Sequence, residues 1–187
     1  MAKYLKGLYT TKDFIKLDLP QVLLFGRSNV GKSTLINTLL NQKLAKTSQT
    51  PGKTQAIHIY EDSLFNLIDL PGYGFSNASK VINATFEDLI INYLDYIKDD
   101  KYIVLLLIDY KVGPQPKDLE AIQYLDSKGI TYLICLTKED KTNQSERAKT
   151  KNKLQSYFDQ KRIIATSSLK KKGFTQLKEF IKRSLYE

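Results

Sequence analysis

The folds open to this chain are restricted most by one octapeptide, Gly26-Arg27-Ser28-Asn29-Val30-Gly31-Lys32-Ser33. It follows an apolar run that predicts a strand, and it precedes apolar residues at helical spacing. It satisfies the pattern G-x-x-x-x-G-K-[ST], in which glycines let the backbone wrap closely around phosphates and the helix N-terminus favours negative charge. In this context a chance glycine turn is disfavoured. The octapeptide predicts a phosphate-binding loop, the P-loop, between a strand and a helix.

Six apolar runs predict strands, and segments with helical spacing lie between most of them. The run from Tyr102 to Asp109 is apolar on both faces, which is typical of a central parallel strand covered by helices on either side. Only Glu61-Asp62-Ser63 separates the second run from the third, so these two must form an antiparallel hairpin. We predict an α/β fold of the P-loop NTPase class: a mostly parallel six-stranded sheet with one antiparallel strand and helices on both faces. The predicted strands are 22–25, 57–60, 64–70, 102–109, 131–137 and 162–165.

The length of 187 residues suits one domain, and no repeat, low-complexity tract or linker divides the sequence. We predict a single nucleotide-binding domain over 1–187, with 1–20 an N-terminal extension that packs on it. Cys135 is the only cysteine, which excludes an intrachain disulfide and indicates a reducing compartment. The longest aliphatic stretch, Ile103 to Ile108, is too short to span a bilayer, and the N-terminus lacks the apolar core of a secretory signal. We expect a monomeric, cytoplasmic protein with no membrane partner.

Positive charge is concentrated towards the C-terminus. Residues 138–187 hold 14 Lys and Arg against 6 Asp and Glu, whereas residues 1–137 hold 15 against 14. A basic third on a neutral remainder is typical of a protein with a polyanionic partner, which in the cytoplasm usually means RNA. The alternative is a compositional bias, because Lys greatly outnumbers Arg and Trp is absent. For Lys170-Lys171-Lys172 a solvated loop and an RNA contact both stay open.

A second motif, Asp69-Leu70-Pro71-Gly72, ends the strand that we expect beside the first one. P-loop NTPases need a carboxylate near Mg²⁺ and a backbone N–H that senses the γ-phosphate, and Asp69 and Gly72 have the right types and order. Alone, Asp-x-Pro-Gly is an ordinary turn. After a P-loop and a hairpin, it predicts that Asp69 holds a metal-bound water and that Gly72 senses the γ-phosphate.

A third motif, Thr137-Lys138-Glu139-Asp140, separates guanine from adenine. It fits the pattern [NT]-K-x-D at the carboxyl edge of the sheet, where nucleotides bind in α/β folds. The Asp140 carboxylate can accept hydrogen bonds from the guanine N1–H and 2-amino group, whereas adenine leaves this acceptor unpaired. The aliphatic stem of Lys138 can lie along the base. Candidates to donate backbone N–H groups to the guanine carbonyl are Thr166-Ser167-Ser168.

The segment 47–55 lies where a switch loop must cover the γ-phosphate. It is polar and contains Pro51 and Gly52. We predict that Thr54 is a second Mg²⁺ ligand beside Ser33, ordered only in the triphosphate state. Thr50 is the competing candidate.

Four stretches, in this order, resemble one family, the EngB/YsxC (YihA) group of bacterial ribosome-biogenesis GTPases. They are Gly-Arg-Ser-Asn-Val-Gly-Lys-Ser, Thr-Pro-Gly-Lys-Thr-Gln, Asp-Leu-Pro-Gly-Tyr-Gly and Leu-Thr-Lys-x-Asp-Lys. The resemblance covers essentially the whole chain. It implies a Ras-like fold, binding of GTP or GDP with Mg²⁺, and a role in assembly of the large (50S) ribosomal subunit, with links to the cell cycle and septation. Phe75-Ser76-Asn77 depart from the family, which tends to carry Tyr-Ala-Lys there.

The resemblance also exposes a mechanistic gap at Tyr73, where Ras-like enzymes place a water-orienting glutamine. A tyrosine is less suited to this task, so we expect slow intrinsic turnover. Similar GTPases with Asn at the position of Asn29 use a K⁺ ion near the phosphates. The hypothesis is that Asn29 helps to hold K⁺, which supplies positive charge in place of an arginine finger. Arg27 is the alternative source of that charge.

Together these patterns predict a GTPase switch whose GTP-bound form docks on a precursor of the large ribosomal subunit (rRNA and ribosomal proteins) through the basic C-terminal third. Two alternatives stay open: a binding module that GTP stabilises without turnover, and a P-loop kinase, which predicts adenine preference and a lid with arginines. The predicted catalytic residues are Lys32, Thr54, Gly72 and Asn29, and the predicted metal ligands are Ser33, Thr54 and Asp69. The predicted nucleotide-binding residues are Gly26, Arg27, Ser28, Asn29, Val30, Gly31, Lys32, Ser33, Thr34, Gly52, Lys53, Thr54, Asp69, Gly72, Thr137, Lys138, Asp140, Thr166, Ser167 and Ser168.

Overall fold

A computed structural model describes residues 1–46, 56–73, 80–155 and 162–187, with the backbone alone for residues 80–86. These residues form one seven-stranded sheet with α-helices on both faces. The strands are β1 (Lys3–Leu8), β2 (Gln21–Gly26), β3 (Ile57–Glu61), β4 (Asn66–Asp69), β5 (Tyr102–Asp109), β6 (Tyr132–Thr137) and β7 (Ile163–Ala165). The helices are α1 (Lys32–Leu40), α2 (Lys80–Tyr96), α3 (Pro116–Ser127), α4 (Gln144–Gln155) and α5 (Phe174–Tyr186), with 3₁₀ turns at Thr11–Asp13 and Glu139–Lys141.

The strands lie in the order β1-β3-β4-β2-β5-β6-β7. β2, which precedes the P-loop, is therefore central, and it pairs in parallel with β4 on one side and β5 on the other. β5, β6 and β7 are also parallel, whereas β3 runs against both of its neighbours. The predicted α/β fold, its hairpin and its one antiparallel strand are confirmed.

The predicted number of six strands is wrong by one, because the N-terminal segment adds β1 along β3. Of the six residues in this edge strand only Leu8 is buried. An edge strand exposes most of its side chains, so its sequence lacks the apolar run that reveals a buried strand. The chain then returns to β2 beneath the hairpin, where the side-chain amide of Asn66 donates to the carbonyl of Leu19 (3.2 Å).

Two apolar cores cover opposite faces of the sheet, and alternate residues of β5 divide between them. Leu105 belongs to the core with α1 and α5, whereas Leu106 belongs to the core with α2 and α3. Cys135 is fully buried on the first of these faces. Because helices cover both faces, the loops at the carboxyl ends of the parallel strands are left to carry polar chemistry. In the part of the chain that the structure describes, the helices are all too short or too polar to cross a bilayer.

Candidate functional site

The P-loop joins β2 to α1, and each glycine of its motif has its own physical reason. At Gly26 a Cβ atom would lie 2.8 Å from the backbone oxygen of Leu107, so a side chain there would push β2 away from β5. Gly31 caps the N-terminus of α1 with φ 110°, in the left-handed region that only glycine enters freely. Asn29 is also left-handed, with φ 60°. The turn therefore bends tightly around the N-terminus of α1.

Lys32 and Asp69 place opposite charges in one buried location beside this turn. Lys32 is 9% exposed, and its Nζ donates to the carbonyl of Gly26 at 3.3 Å. Burial lowers the pKa of the Lys32 ammonium, and the charge of Asp69 opposes that shift. Asp69 is 3% exposed; burial raises the pKa of its carboxyl to about 6 against the opposing charge of Lys32. Within the described residues the Oδ1 atom of Asp69 has no hydrogen-bond partner.

The backbone after Asp69 lies directly against the P-loop. The N–H of Leu70 donates to the carbonyl of Leu24 (3.2 Å), and the N–H of Ser28 donates to the carbonyl of Tyr73 (3.3 Å). A Cβ atom on Gly72 would lie 3.0 Å from both the Nζ of Lys32 and the backbone nitrogen of Ser28. The absence of a side chain at Gly72 therefore leaves the space beside the ammonium open. The second motif and the P-loop, predicted on neighbouring strands, form one surface.

The third motif contacts the other flank of the P-loop. The hydroxyl of Thr137 donates to the carbonyl of Val30 at 2.6 Å. Lys138 adopts a left-handed backbone conformation (φ 59°), and its Nζ donates to the carbonyl of Asn29 and to Oδ2 of Asp109, both at 2.8 Å. The stem of Lys138 is thereby stretched across the P-loop, where it forms a floor on which a planar base can lie.

Asp140 lies where the third motif meets the loop after β7. The hydroxyl of Ser167 donates to Oδ1 of Asp140, and this hydrogen bond is the main cause that lowers the pKa of the Asp140 carboxyl. The two loops are also joined through their backbones, since the N–H of Glu139 donates to the carbonyl of Thr166 at 3.1 Å. Asp140 is therefore an ionised acceptor, held beside the predicted Thr166-Ser167-Ser168 segment.

Sequence reasoning missed Asp109 as part of this site. Its Oδ1 accepts the backbone N–H groups of Lys111 (3.0 Å) and Val112 (3.3 Å), which leaves Oδ2 for the ammonium of Lys138. The β5–β6 register sets Asp109 opposite Thr137. A carboxylate at the end of a central strand was the available signal, because parallel strands end at the same edge of the sheet.

Glu139, the unspecified position of the third motif, is also more than a loop residue. It is 7% exposed and forms ion pairs with Arg147 (3.2 Å) and Lys172 (2.8 Å). Arg147 also donates to the hydroxyl and the carbonyl of Thr142. Lys172 therefore helps to hold the third motif in place. This structural role distinguishes Lys172 from its neighbours Lys170 and Lys171.

Tyr73 is buried beside the P-loop, and its ring packs against Phe25 with 4.9 Å between the ring centroids. Its hydroxyl donates to Oδ1 of Asp118 at 2.8 Å, and the two residues are 9% and 1% exposed. The other oxygen of Asp118 accepts the N–H of Gln115 at the start of α3 (2.8 Å). Burial raises the pKa of the Asp118 carboxyl. Tyr73 is in this way tied to the N-terminus of α3.

The remaining predicted residues fall into two groups. Ser33 is half-buried and Thr34 exposed in the first turn of α1, and Ser168 is half-buried after Ser167. The predicted switch residues Gly52, Lys53 and Thr54, with the competing candidate Thr50, lie outside the described residues. The segment Phe75-Ser76-Asn77, which departs from the family, also lies outside them.

Known proteins are similar to this chain over nearly its full length. Residues 21–138 match the family described as 50S ribosome-binding GTPase. A curated protein from Metamycoplasma arthritidis, named Probable GTP-binding protein EngB, is 41% identical over 180 residues, 96% of this chain and 98% of the relative. One of the same name from Thermoanaerobacter pseudethanolicus is 37% identical over 94% of this chain and 93% of the relative. The crystal structure of a probable GTP-binding protein engB has a TM-score of 0.75 at 27% identity, over 88% of this chain and 98% of that one.

The burial of Asp69 predicts how stability depends on pH in the protein without nucleotide or Mg²⁺. A carboxyl whose pKa is raised by folding stabilises the folded state below its unfolded value, and this contribution is lost as the pH rises through about 6. Asn stays neutral throughout. We expect the free energy of unfolding of Asp69→Asn, relative to wild type, to grow by on the order of 2 kcal/mol between about pH 4.5 and about pH 7.5.

Urea denaturation in EDTA at the two pH values measures this difference. Asp126→Asn is the control, because Asp126 is an exposed carboxylate that also accepts a hydrogen bond, from the hydroxyl of Tyr132. A difference for Asp69→Asn that stays the same at both pH values would show that the carboxyl is not perturbed by burial.

The contact between Asp109 and Lys138 predicts a loss of guanine-nucleotide affinity in Asp109→Asn. The substitution keeps the Oδ1 acceptor for the two backbone N–H groups and removes only the charge that faces Lys138. Because Lys138 is partly exposed, the loss should be modest, about 5- to 10-fold. Titration with a fluorescent GDP derivative measures the Kd, with Asp126→Asn as a charge-matched control at the opposite edge of the sheet. An unchanged Kd would mean that Asp109 does not position Lys138.

Proposed function

The chain belongs to the 50S ribosome-binding GTPase family, and on that premise we propose that it is a nucleotide-dependent switch in assembly of the large ribosomal subunit. In this proposal the GTP-bound form docks on a precursor of the subunit, and hydrolysis releases it. Family membership makes the protein a GTP-binding GTPase, which decides against the P-loop kinase and against a module without turnover.

The observation that carries the proposed site is the position of the P-loop between two charged flanks. On one flank stand Lys32 and Asp69, and on the other Lys138 and Asp140. A nucleotide that follows the P-loop would meet an ammonium at its phosphate end and a carboxylate at its base end. The Asp140 carboxylate, kept ionised by Ser167, would accept the two guanine donors and reject adenine.

At the phosphate end we assign Lys32 to the β- and γ-phosphates and the N–H of Gly72 to the γ-phosphate. Ser33, Thr54 and Asp69 would hold Mg²⁺, directly or through water, and the ion would supply positive charge at the β- and γ-oxygens. Two features of the described residues support this fit: the buried, unpartnered Oδ1 of Asp69, and the space beside Lys32 that a side chain on Gly72 would fill.

Slow intrinsic hydrolysis is part of the proposal and rests on Tyr73. Its hydroxyl already donates to Asp118, so it is not free to orient an attacking water. Turnover would then depend on charge and positioning supplied by other groups.

The K⁺ hypothesis supplies one such group and makes a prediction. If Asn29 holds K⁺ beside the phosphates, the single-turnover rate of hydrolysis should be higher in KCl than in NaCl, because the added charge stabilises the transition state. Asn29→Gly keeps a residue that adopts φ 60° and should remove the difference between the salts. Asn41→Gly, at the left-handed C-terminus of α1, is the matched control and should keep it. Equal wild-type rates in the two salts would remove the hypothesis.

The proposed partner is a precursor of the large ribosomal subunit, contacted by the basic C-terminal third. Support comes from the surplus of Lys and Arg in residues 138–187. This partner places the protein in the cytoplasm. Roles in the cell cycle and septation stay predictions from family resemblance.

Cosedimentation with large ribosomal subunits and their precursors tests the proposed function. Wild-type protein should pellet with the particles in a non-hydrolysable GTP analogue and stay in the supernatant in GDP. In Asp140→Asn the guanine 2-amino donor loses its acceptor, so the xanthosine analogue should replace the GTP analogue in driving binding.

The change of nucleotide preference in Asp140→Asn, from the guanosine to the xanthosine analogue, acts as an internal control, because the particles and the ionic strength are unchanged. Binding that is equal in GDP and the GTP analogue would refute the switch. Binding of Asp140→Asn that still follows guanine would refute the base assignment.

A further inference from the structure

A wide groove runs between α1 and α5, next to the base end of the nucleotide site. It has a volume of about 1080 Å³ and is lined by Thr34 in the first turn of α1, by the loop that follows α1, and by the loop that precedes α5. Ser168, part of the predicted guanine loop, also lines it. We call this surface the α1–α5 groove; it opens beside the nucleotide site without being part of the P-loop.

All charged side chains that line the α1–α5 groove are positive. Four lysines line it, namely Lys43, Lys46, Lys171 and Lys178, and its lining contains no Asp or Glu. All four are exposed, and none forms an ion pair with a carboxylate among the described residues. Six other lysines of the described chain do form such pairs. The four lysine side chains of the groove can therefore bind an anionic ligand.

The fold brings together lysines that are far apart in the sequence. Lys43 and Lys46 lie in the part of the chain whose charge is nearly balanced, and Lys171 and Lys178 lie in the basic third. A count of charge along the sequence therefore identifies Lys171 and Lys178 as part of a basic region and misses Lys43 and Lys46.

The wall that carries Lys43 and Lys46 is held in place by Asn37. Its Oδ1 accepts the N–H groups of Leu44 (2.9 Å) and Ala45 (2.8 Å), and its Nδ2 donates to the carbonyl of Ala45 (2.8 Å). The backbone on which the two lysines stand is fixed by these three bonds. Binding there does not require the loop to be ordered first, which lowers the entropic cost.

The opposite wall is equally constrained. Gly173 has φ 80°, and a Cβ atom there would lie 2.1 Å from the carbonyl oxygen of Ala165, so the chain is forced into α5 at this point. Phe174 is buried against the core, and Lys178 stands one helical turn later on the same face. Lys171 lies in the preceding loop with φ 50°.

The chemistry of this surface fits the backbone of a nucleic acid. A lysine side chain carries a compact charge on a flexible stem, so several lysines can follow the repeating charges of a phosphodiester backbone. Lysines lack the planar fork with which arginine binds a single planar group. Hydroxyl and amide side chains between the lysines can accept or donate to ribose hydroxyls. Leu169, 80% exposed at the rim, offers an apolar contact to a sugar or base.

We infer that the α1–α5 groove binds the phosphodiester backbone of RNA, next to the base end of the bound nucleotide. The inference rests on the proposed function, because a ribosomal precursor is what supplies RNA at this surface. Lys46 directly precedes the segment 47–55, so an RNA phosphate at Lys46 adjoins the start of the predicted switch loop.

The test compares two triple variants that remove equal charge. One carries Lys43→Gln, Lys171→Gln and Lys178→Gln in the groove. The control carries Lys98→Gln, Lys101→Gln and Lys128→Gln, which line a cleft at the amino edge of the sheet together with Asp100 and Glu187. Lys46 is kept because it adjoins the predicted switch loop.

Fluorescence anisotropy with a short labelled RNA duplex, in the GTP analogue and from about 50 to about 200 mM KCl, measures binding. In the groove variant we expect affinity to fall about 10- to 100-fold at the lowest salt, and the slope of log K against log[KCl] to fall by about one for each lysine that contacts a phosphate. The control variant should stay within about 3-fold of wild type. Equal losses in both variants, or no loss in the groove variant, would overturn the inference.

Three further sets of measurements separate the possible failures. GDP affinity and circular dichroism of both variants should match wild type, and if the groove variant is misfolded, the single substitutions Lys43→Gln and Lys178→Gln are compared instead.

If wild-type protein cosediments with large subunits and both triple variants do so equally, the groove inference fails and the proposed function stands. If wild type does not cosediment, the proposed function fails, and the anisotropy result still decides for or against RNA in the groove.

Vesicles containing phosphatidylserine test whether the groove binds an anionic membrane surface instead. A groove variant that loses vesicle binding and keeps RNA binding would overturn RNA as the ligand.

Discussion

A buried ammonium and a buried carboxylate, held in one location, are the constraint on which the site depends. Burial disfavours the charged form of both Lys32 and Asp69, and the charge of each favours that of the other. Their meeting is set by the sheet, since β4 pairs with β2 so that Asp69 stands opposite Leu24, just before the P-loop. In the proposed site, phosphate oxygens and a divalent cation would be the partners of this pair. Ligand binding there would relieve an electrostatic cost that the fold otherwise carries.

Strand register also aligns the second flank. Because β5 and β6 pair with Asp109 opposite Thr137, the loop after β6 begins at the height where β5 ends. Lys138 then reaches the carboxylate of Asp109 and the carbonyl of Asn29 with the same ammonium. The left-handed backbone of Lys138 turns the chain so that Asp140 faces Ser167. In the proposed site, base recognition would therefore depend on hydrogen bonds among four loops, all of which follow parallel strands.

The local motifs were predictable from the sequence, and the contacts between them were not. The octapeptide, the hairpin and the position of the third motif follow from spacing and periodicity, which act over a few residues. β1 escaped because an edge strand has no buried run, and Asp109 and Asp118 escaped because their partners are 29 and 45 residues away. Glu139 occupies a position that the third motif leaves unspecified, yet it is buried and paired twice. Such pairings are fixed by tertiary register, which one sequence does not reveal.

The two ends of the site differ in a way that suits a switch. At the phosphate end Lys32 and Asp69 are buried, and Tyr73 is tied through Asp118 to α3. The base end is open, and beyond Ser168 it continues into the α1–α5 groove with its unpaired charge. Charges in a buried site respond strongly to the loss of one phosphate, whereas exposed lysines bind a polyanion by long-range attraction that salt screens. Under the proposed function, hydrolysis at the phosphate end changes interactions that are strong and local, while contact of RNA with the groove is weaker and distributed over several lysines. Under the proposed function, a partner held by distributed contacts can be released by a local change at the phosphate end, where Lys32 and Asp69 are buried.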